Sequence, residues 1–108
     1  MEDAIGEVIL KRDYMATYVI NKSAEFFDIA PIDLLCNKKH KNKARQRLVM
    51  KIMYDELGFR YKEITALLGY KTGSLGNTYY HYHNISEDMK SNKSLQETYK
   101  QLLNHLKL

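Results

Sequence analysis

The stretch Tyr61-Lys62-Glu63-Ile64-Thr65-Ala66-Leu67-Leu68-Gly69, continued by Tyr70-Lys71-Thr72-Gly73-Ser74 and Leu75-Gly76-Asn77-Thr78-Tyr79-Tyr80-His81-Tyr82, decides the fold. Ile64, Leu67 and Leu68 share one side of a compact helix over about 61–68, which Gly69 ends. The segment 69–73 is a turn, and Thr72 or Ser74 is suited to cap the next helix by accepting its free N–H groups. That helix carries Leu75, Tyr79, Tyr82, Ile85 and Met89 at spacings of four, three, three and four, which predicts a buried stripe. Its other face offers Asn77, Thr78, His81 and Asn84, all able to hydrogen-bond outward. Two helices joined by a glycine-containing turn, the second rich in outward polar side chains, have the form of a helix-turn-helix. In that motif the second helix enters the major groove of DNA, where Asn pairs with adenine and Ser or Thr contacts bases or phosphates.

Working outward, the same helical period continues in both directions. Upstream, a helix over about 43–57 places Leu48, Val49, Ile52, Met53 and Leu57 on a broad apolar stripe, with Gly58 as the residue after its end. Before it lies the polar, basic loop Asn37-Lys38-Lys39-His40-Lys41-Asn42. Pro31 suits the first turn of a short helix over 31–35, because its missing N–H is not needed there. A helix over about 14–27 and a separate short one built on Ala4, Ile5, Val8 and Ile9 complete the N-terminal side. Downstream, a helix over about 93–106 turns Leu95, Tyr99, Leu102, Leu103 and Leu106 inward. No segment alternates as a strand does. The expected fold is all-α, one domain over 1–108, a compact bundle of about six helices containing the helix-turn-helix.

Composition narrows the function classes. With 108 residues, 44% of them apolar and 28% charged, the chain suits one soluble domain with one core. A single cysteine, Cys36, permits neither a disulfide framework nor a cysteine-based zinc site, which fits a reducing compartment. Cys36 follows an apolar pair and is expected as a small buried residue. An apolar run of about 18 residues is absent, and Met1-Glu2-Asp3 is acidic where a signal peptide is basic. The expectation is a cytoplasmic protein with no membrane partner.

The net charge of +4 is unevenly distributed. Residues 1–36 hold 3 Lys+Arg against 7 Asp+Glu, residues 37–71 hold 10 against 3, and residues 72–108 hold 4 against 3. A block of +7 between an acidic and a near-neutral segment is the pattern of a polyanion-binding surface, or of a solvated lysine-rich face. Arg45, Arg47 and Lys51 favour the first alternative. They occupy the first turns of a helix, where positive charge opposes the helix dipole and a bound anion relieves the cost.

These residues resemble the C-terminal DNA-binding domain of the bacterial chromosomal replication initiators, the DnaA family. Ser23-Ala24-Glu25-Phe26-Phe27-Asp28-Ile29 and Asp33-Leu34-Leu35-Cys36-Asn37-Lys38-Lys39 look like that domain's opening helix, short helix and basic loop. Ala44-Arg45-Gln46-Arg47 and Asp55-Glu56-Leu57 resemble the ends of its central helix, and Glu63-Ile64 with Leu68-Gly69 the first helix of its helix-turn-helix. The similarity covers about 14–108 and leaves 1–13 as a helical extension. It implies double-stranded DNA as partner, with Lys38, Lys39, Lys41 and Arg45 on the minor groove and phosphates. Arg47 and Lys71 add phosphate contacts. The family has Gly-Arg-Asp-His-Thr-Thr-Val where this chain runs Tyr70-Lys71-Thr72-Gly73-Ser74-Leu75-Gly76-Asn77-Thr78. Aligned without a gap, Lys71, Thr72, Gly73 and Ser74 replace the arginine, aspartate, histidine and first threonine. With a turn three residues longer, which we prefer, Gly76, Asn77 and Thr78 replace His-Thr-Thr, and His81 falls on a recognition-helix histidine. Under either alignment the DNA box read differs from the family's usual one.

The remaining chemistry is sparse. The initiators' other domain is an ATPase, yet the phosphate-loop pattern is absent here, since no lysine follows any of the five glycines. No nucleophile and base are paired, so no enzyme and no cofactor are expected. His81 and His83, two apart on a helix, point about 200° apart and cannot grip one metal ion. Tyr79 and Tyr82 are expected in the core, with Tyr80 exposed toward a phosphate. The resemblance implies a bacterial, phage or mobile-element origin and a role in replication initiation or its regulation. It leaves room for a homodimer or for a partner protein supplying ATPase activity. Alternatives are a transcription regulator or mobile-element DNA-binding protein, or a protein-interaction module that keeps the helix-turn-helix shape.

Overall fold

A computed structural model describes residues 2–35, 42–68 and 75–107, with side chains described from residue 14 in the first stretch and from residue 78 in the third. Among these residues the chain is all helical. Helix α1 spans Glu2–Phe27, α2 Lys43–Asp55, α3 Tyr61–Leu67, α4 Leu75–Ser91 and α5 Lys93–Leu106, with a 3-10 turn at Pro31–Leu34. The two helices expected before Phe27 are one continuous helix of 26 residues. Nothing between Ile9 and Tyr14 breaks it, since Leu10, Lys11, Arg12 and Asp13 include neither glycine nor proline. Cys36 lies outside the described residues.

Helix α2 is the centre of the bundle. Leu48, Val49, Met50, Ile52 and Met53 are all buried, so the middle of this helix is enclosed on most sides. Around it close Ala16, Val19 and Ala24 of α1, Ile64 of α3, Ile85 of α4, and Leu102 and Leu106 of α5, with Leu34, Phe59 and Leu68 from the connections. Helix α4 makes the most extensive packing with α2, while α1 lies against α5 and the 3-10 turn. Buried Gln46 donates from Nε2 to the Leu35 carbonyl, fastening α2 to the segment that precedes the basic loop. Tyr18 donates its hydroxyl to the Leu106 carbonyl at 2.9 Å, joining α1 to the end of α5.

Local rules account for the corners. Gly58 has a φ of +70°, a conformation costly for residues with a Cβ, and the Phe59 N–H beyond it returns to the Met53 carbonyl at 2.9 Å. Asn92 sits in extended backbone and its side chain accepts from Leu95 N–H at 3.1 Å, a complete N-cap for α5. At the start of α3, the Glu63 carboxylate accepts from the Arg60 N–H at 3.2 Å. Among the described residues, no helix is long and apolar enough to cross a membrane.

Candidate nucleic-acid interface

Helices α3 and α4 meet through a buried pair of hydroxyls. Thr65 Oγ1 donates to the Tyr61 carbonyl at 2.7 Å and lies 2.6 Å from Thr78 Oγ1. A hydroxyl has one proton, and that of Thr65 is committed to Tyr61, so Thr78 is the donor between the two threonines. Thr78 is 1% exposed and Thr65 4%. This corrects the outward placement expected for Thr78: it holds α4 against α3 and does not face a groove. The inward stripe of α4 runs through Thr78, Ile85 and Met89, with Ile85 fully enclosed, whereas Tyr82, expected in the core, is only partly covered and turns its hydroxyl to Asp55 near the surface. Tyr79, expected in the core, is 47% exposed, because rotating Thr78 inward swings its neighbour about 100° toward solvent. Tyr80 is exposed, as expected, and His83 and Asn84 join it on the outer face.

Three of the basic residues singled out from the sequence, Arg45, Arg47 and Lys51, lie in the described structure. Arg45 donates from Nη1 to Asn42 Oδ1 at 3.0 Å, and its guanidinium stands 5.5 Å from the centre of the Phe27 ring. Arg47 reaches the other way, to α4, and donates from Nε to Nδ1 of His81 at 3.0 Å. His81 is half-buried. Burial first, then the charges of Arg47 and Lys43, hold its imidazole below the ordinary histidine range. A neutral ring that accepts at Nδ1 carries its proton on Nε2. Lys43, Arg45 and Arg47 have no carboxylate within ion-pair distance among the described residues, whereas Lys51 is matched by Asp55 at 2.8 Å and also donates to Ser86 at 3.1 Å. The start of α2 is therefore an uncompensated positive surface next to the first half of α4.

Lys38, Lys39, Lys41, Lys71, Thr72 and Ser74 lie outside the described residues, and Asn77 lies in α4 with its side chain outside them. The alignment with the longer turn requires Asn77, Thr78 and His81 on one outer face. Thr78 does not share that face.

No local pattern announces how the tyrosines assemble. Tyr54 of α2 stacks on Tyr61 of α3 with ring centres 4.6 Å apart and planes inclined by 10°, and Tyr82 of α4 meets both rings. Tyr79 stands edge-on to Tyr61 at 5.5 Å and to His83 at 4.2 Å. His81 and His83 thus serve different neighbours, Arg47 and the tyrosines. Tyr82 donates its hydroxyl to Asp55 at 2.7 Å, and burial followed by that carboxylate pushes its ionisation up to about 12. Such a cluster was detectable only as an excess of nine tyrosines, since its members come from three helices. The chain matches no protein-family model, no curated protein and no solved structure.

Proposed function

We propose that this chain binds double-stranded DNA as a helix-turn-helix domain of the DnaA C-terminal type. Helix α4 occupies the major groove, and the lysine-rich loop with the start of α2 lies on the phosphates. The observation that carries this proposal is the cationic surface of Lys43, Arg45 and Arg47, which meets no carboxylate among the described residues and is joined by the Arg47–His81 bond to α4, where Tyr80, His83 and Asn84 are exposed. Cations left without carboxylates beside a polar helix face suit a polyanion, and the backbone charge supplies most of the affinity of such contacts. Replication initiation or its regulation is the process that the resemblance favours, in the cytoplasm of a bacterium or of a cell hosting a phage or mobile element. A partner that supplies ATPase activity, or a second copy of the chain, would complete the assembly.

The test is a titration of a random-sequence duplex at several salt concentrations. With Lys38, Lys39, Lys41, Arg45, Arg47 and Lys71 on phosphates, log K falls against log salt with a slope of about −5 to −6. An interaction insensitive to salt refutes the proposal. A second reading, a module that docks a protein partner, is favoured by the exposed rings of Tyr54, Tyr79 and Tyr80, since tyrosine is enriched in protein interfaces. Failure to be retained on immobilised random DNA at moderate salt would select it.

A further inference from the structure

The seam between α2 and α4 holds an imidazole beside two cations. His81 accepts from Arg47 Nε at 3.0 Å and also feels Lys43 one turn earlier on α2. Burial first, then these two cations, oppose a charge on the ring. Lys51, one turn further along α2, shows the contrast, because Asp55 neutralises it. Arg47 commits only Nε to the histidine, and its terminal nitrogens make no hydrogen bond among the described residues. Two permanent cations and a third group able to become one therefore converge from adjoining helices.

We propose that Lys43, Arg47 and His81 seat one phosphodiester of the duplex backbone, and that its arrival turns His81 from an acceptor toward Arg47 into a charged donor to the phosphate. DNA binding then takes up one proton from solvent at this site. The proposal rests on the DNA-binding reading above and adds to it a position and a pH dependence. The chemistry is a change of hydrogen-bond sense. A neutral imidazole can accept from Arg47, but an imidazolium has two donors and no acceptor, so the Arg47–His81 bond cannot survive protonation. In the free protein, burial and the two cations oppose that protonation. An anion between the three groups reverses the local potential, and Arg47 and His81 both turn to it as charge-assisted donors. The sign follows from linkage: a group that ionises more readily in the complex than in the free protein makes binding tighter as pH falls between its two ionisation points.

The experiment measures binding of a short random-sequence duplex between about pH 5 and 8, the interval in which histidines titrate. The full chain is compared with His81→Gln, whose Oε1 still accepts from Arg47. Wild-type affinity rises up to about tenfold per unit fall in pH within the window set by His81, and levels off outside it. His81→Gln lacks that rise, whatever its affinity at the alkaline end. Because His40, His83 and His105 remain in both proteins, the difference between the two profiles belongs to His81. The Cε1–H resonance of His81, followed by NMR in the wild type, gives a second measure that needs no variant, and its midpoint moves upward when duplex is added. If duplex binds but the two pH profiles coincide, or the resonance titrates unmoved, the proposed seat is wrong and the DNA-binding reading stands. If no duplex binds at low salt at any pH, both fall.

Discussion

The buried threonine pair between α3 and α4 predicts an asymmetry between two substitutions of the same kind. Thr78→Val removes a donor and leaves Thr65 with its bond to the Tyr61 carbonyl intact, so one net hydrogen bond is lost, about 1 kcal/mol. Thr65→Val removes the Tyr61 bond and also strands the Thr78 hydroxyl, which is 1% exposed and cannot turn to water. An unsatisfied buried hydroxyl costs about 1–3 kcal/mol, so the expected loss is about 2–4 kcal/mol. In the double variant both hydroxyls are replaced by methyl groups of similar shape, and the stranded donor is gone. Its loss should be smaller than the sum of the two single losses by about 1–2 kcal/mol, a coupling characteristic of groups that share a bond. Urea unfolding of the four proteins, monitored by circular dichroism, measures these differences. Each kcal/mol also lowers Tm by about 4–8 °C for a domain of this size. Two results refute the reasoning: single effects that add to within about 0.5 kcal/mol, or a Thr78→Val loss larger than that of Thr65→Val.

Two further outcomes concern the cap of α5 and the buried phenols. Asn92→Ala removes the only side-chain cap described for α5, and unfolding free energy should fall by about 1 kcal/mol, measured in the same urea series, whereas Asn92→Asp keeps an acceptor and most of the stability. Burial raises the phenols of Tyr61, Tyr82 and Tyr99, with help from Tyr54, Asp55 and Glu56 respectively. Because their folded values lie above the ordinary 10.0, the stability they contribute is complete below about pH 10 and is lost as pH rises through the folded values, about 12 for Tyr82. An ultraviolet titration should show Tyr61, Tyr82 and Tyr99 as a group that ionises only as the chain unfolds. A single titration of all nine near pH 10.0 contradicts this.

Most of the helices were legible in the sequence because their signals are local. The interior of α2 follows from Leu48, Val49, Ile52 and Met53, and its end from Gly58. The limits of α5 at Lys93 and Leu106 coincide with the expected ones, since the apolar period and the Asn92 cap lie within a few residues of each other. The single helix α1 reads as two in the sequence, because 10–13 carries no signal of its own that continues it. Helix α4 was harder, for a geometric reason. Thr78 and Tyr79 both fall three or four residues before Tyr82, so either begins a valid stripe through Tyr82, Ile85 and Met89, and the apolar period favoured the more hydrophobic of the two. The choice between them is made by the Thr65 hydroxyl on α3, which offers Thr78 a buried partner.

The candidate site divides along the same line. The sequence by itself determined an all-helical chain with its positive charge gathered over 37–71, because the helical period and the net charge are properties of residue identity and spacing alone. Only the tertiary structure decided which of those charges stay uncompensated. Lys51 and Arg47 are one turn apart on the same helix, yet Asp55 neutralises one while the other meets a neutral imidazole from α4. The gathering of Tyr54, Tyr61, Tyr79 and Tyr82 also required the packing of α2, α3 and α4, since contacts between helices depend on the rotation and approach of each one, which no local pattern encodes.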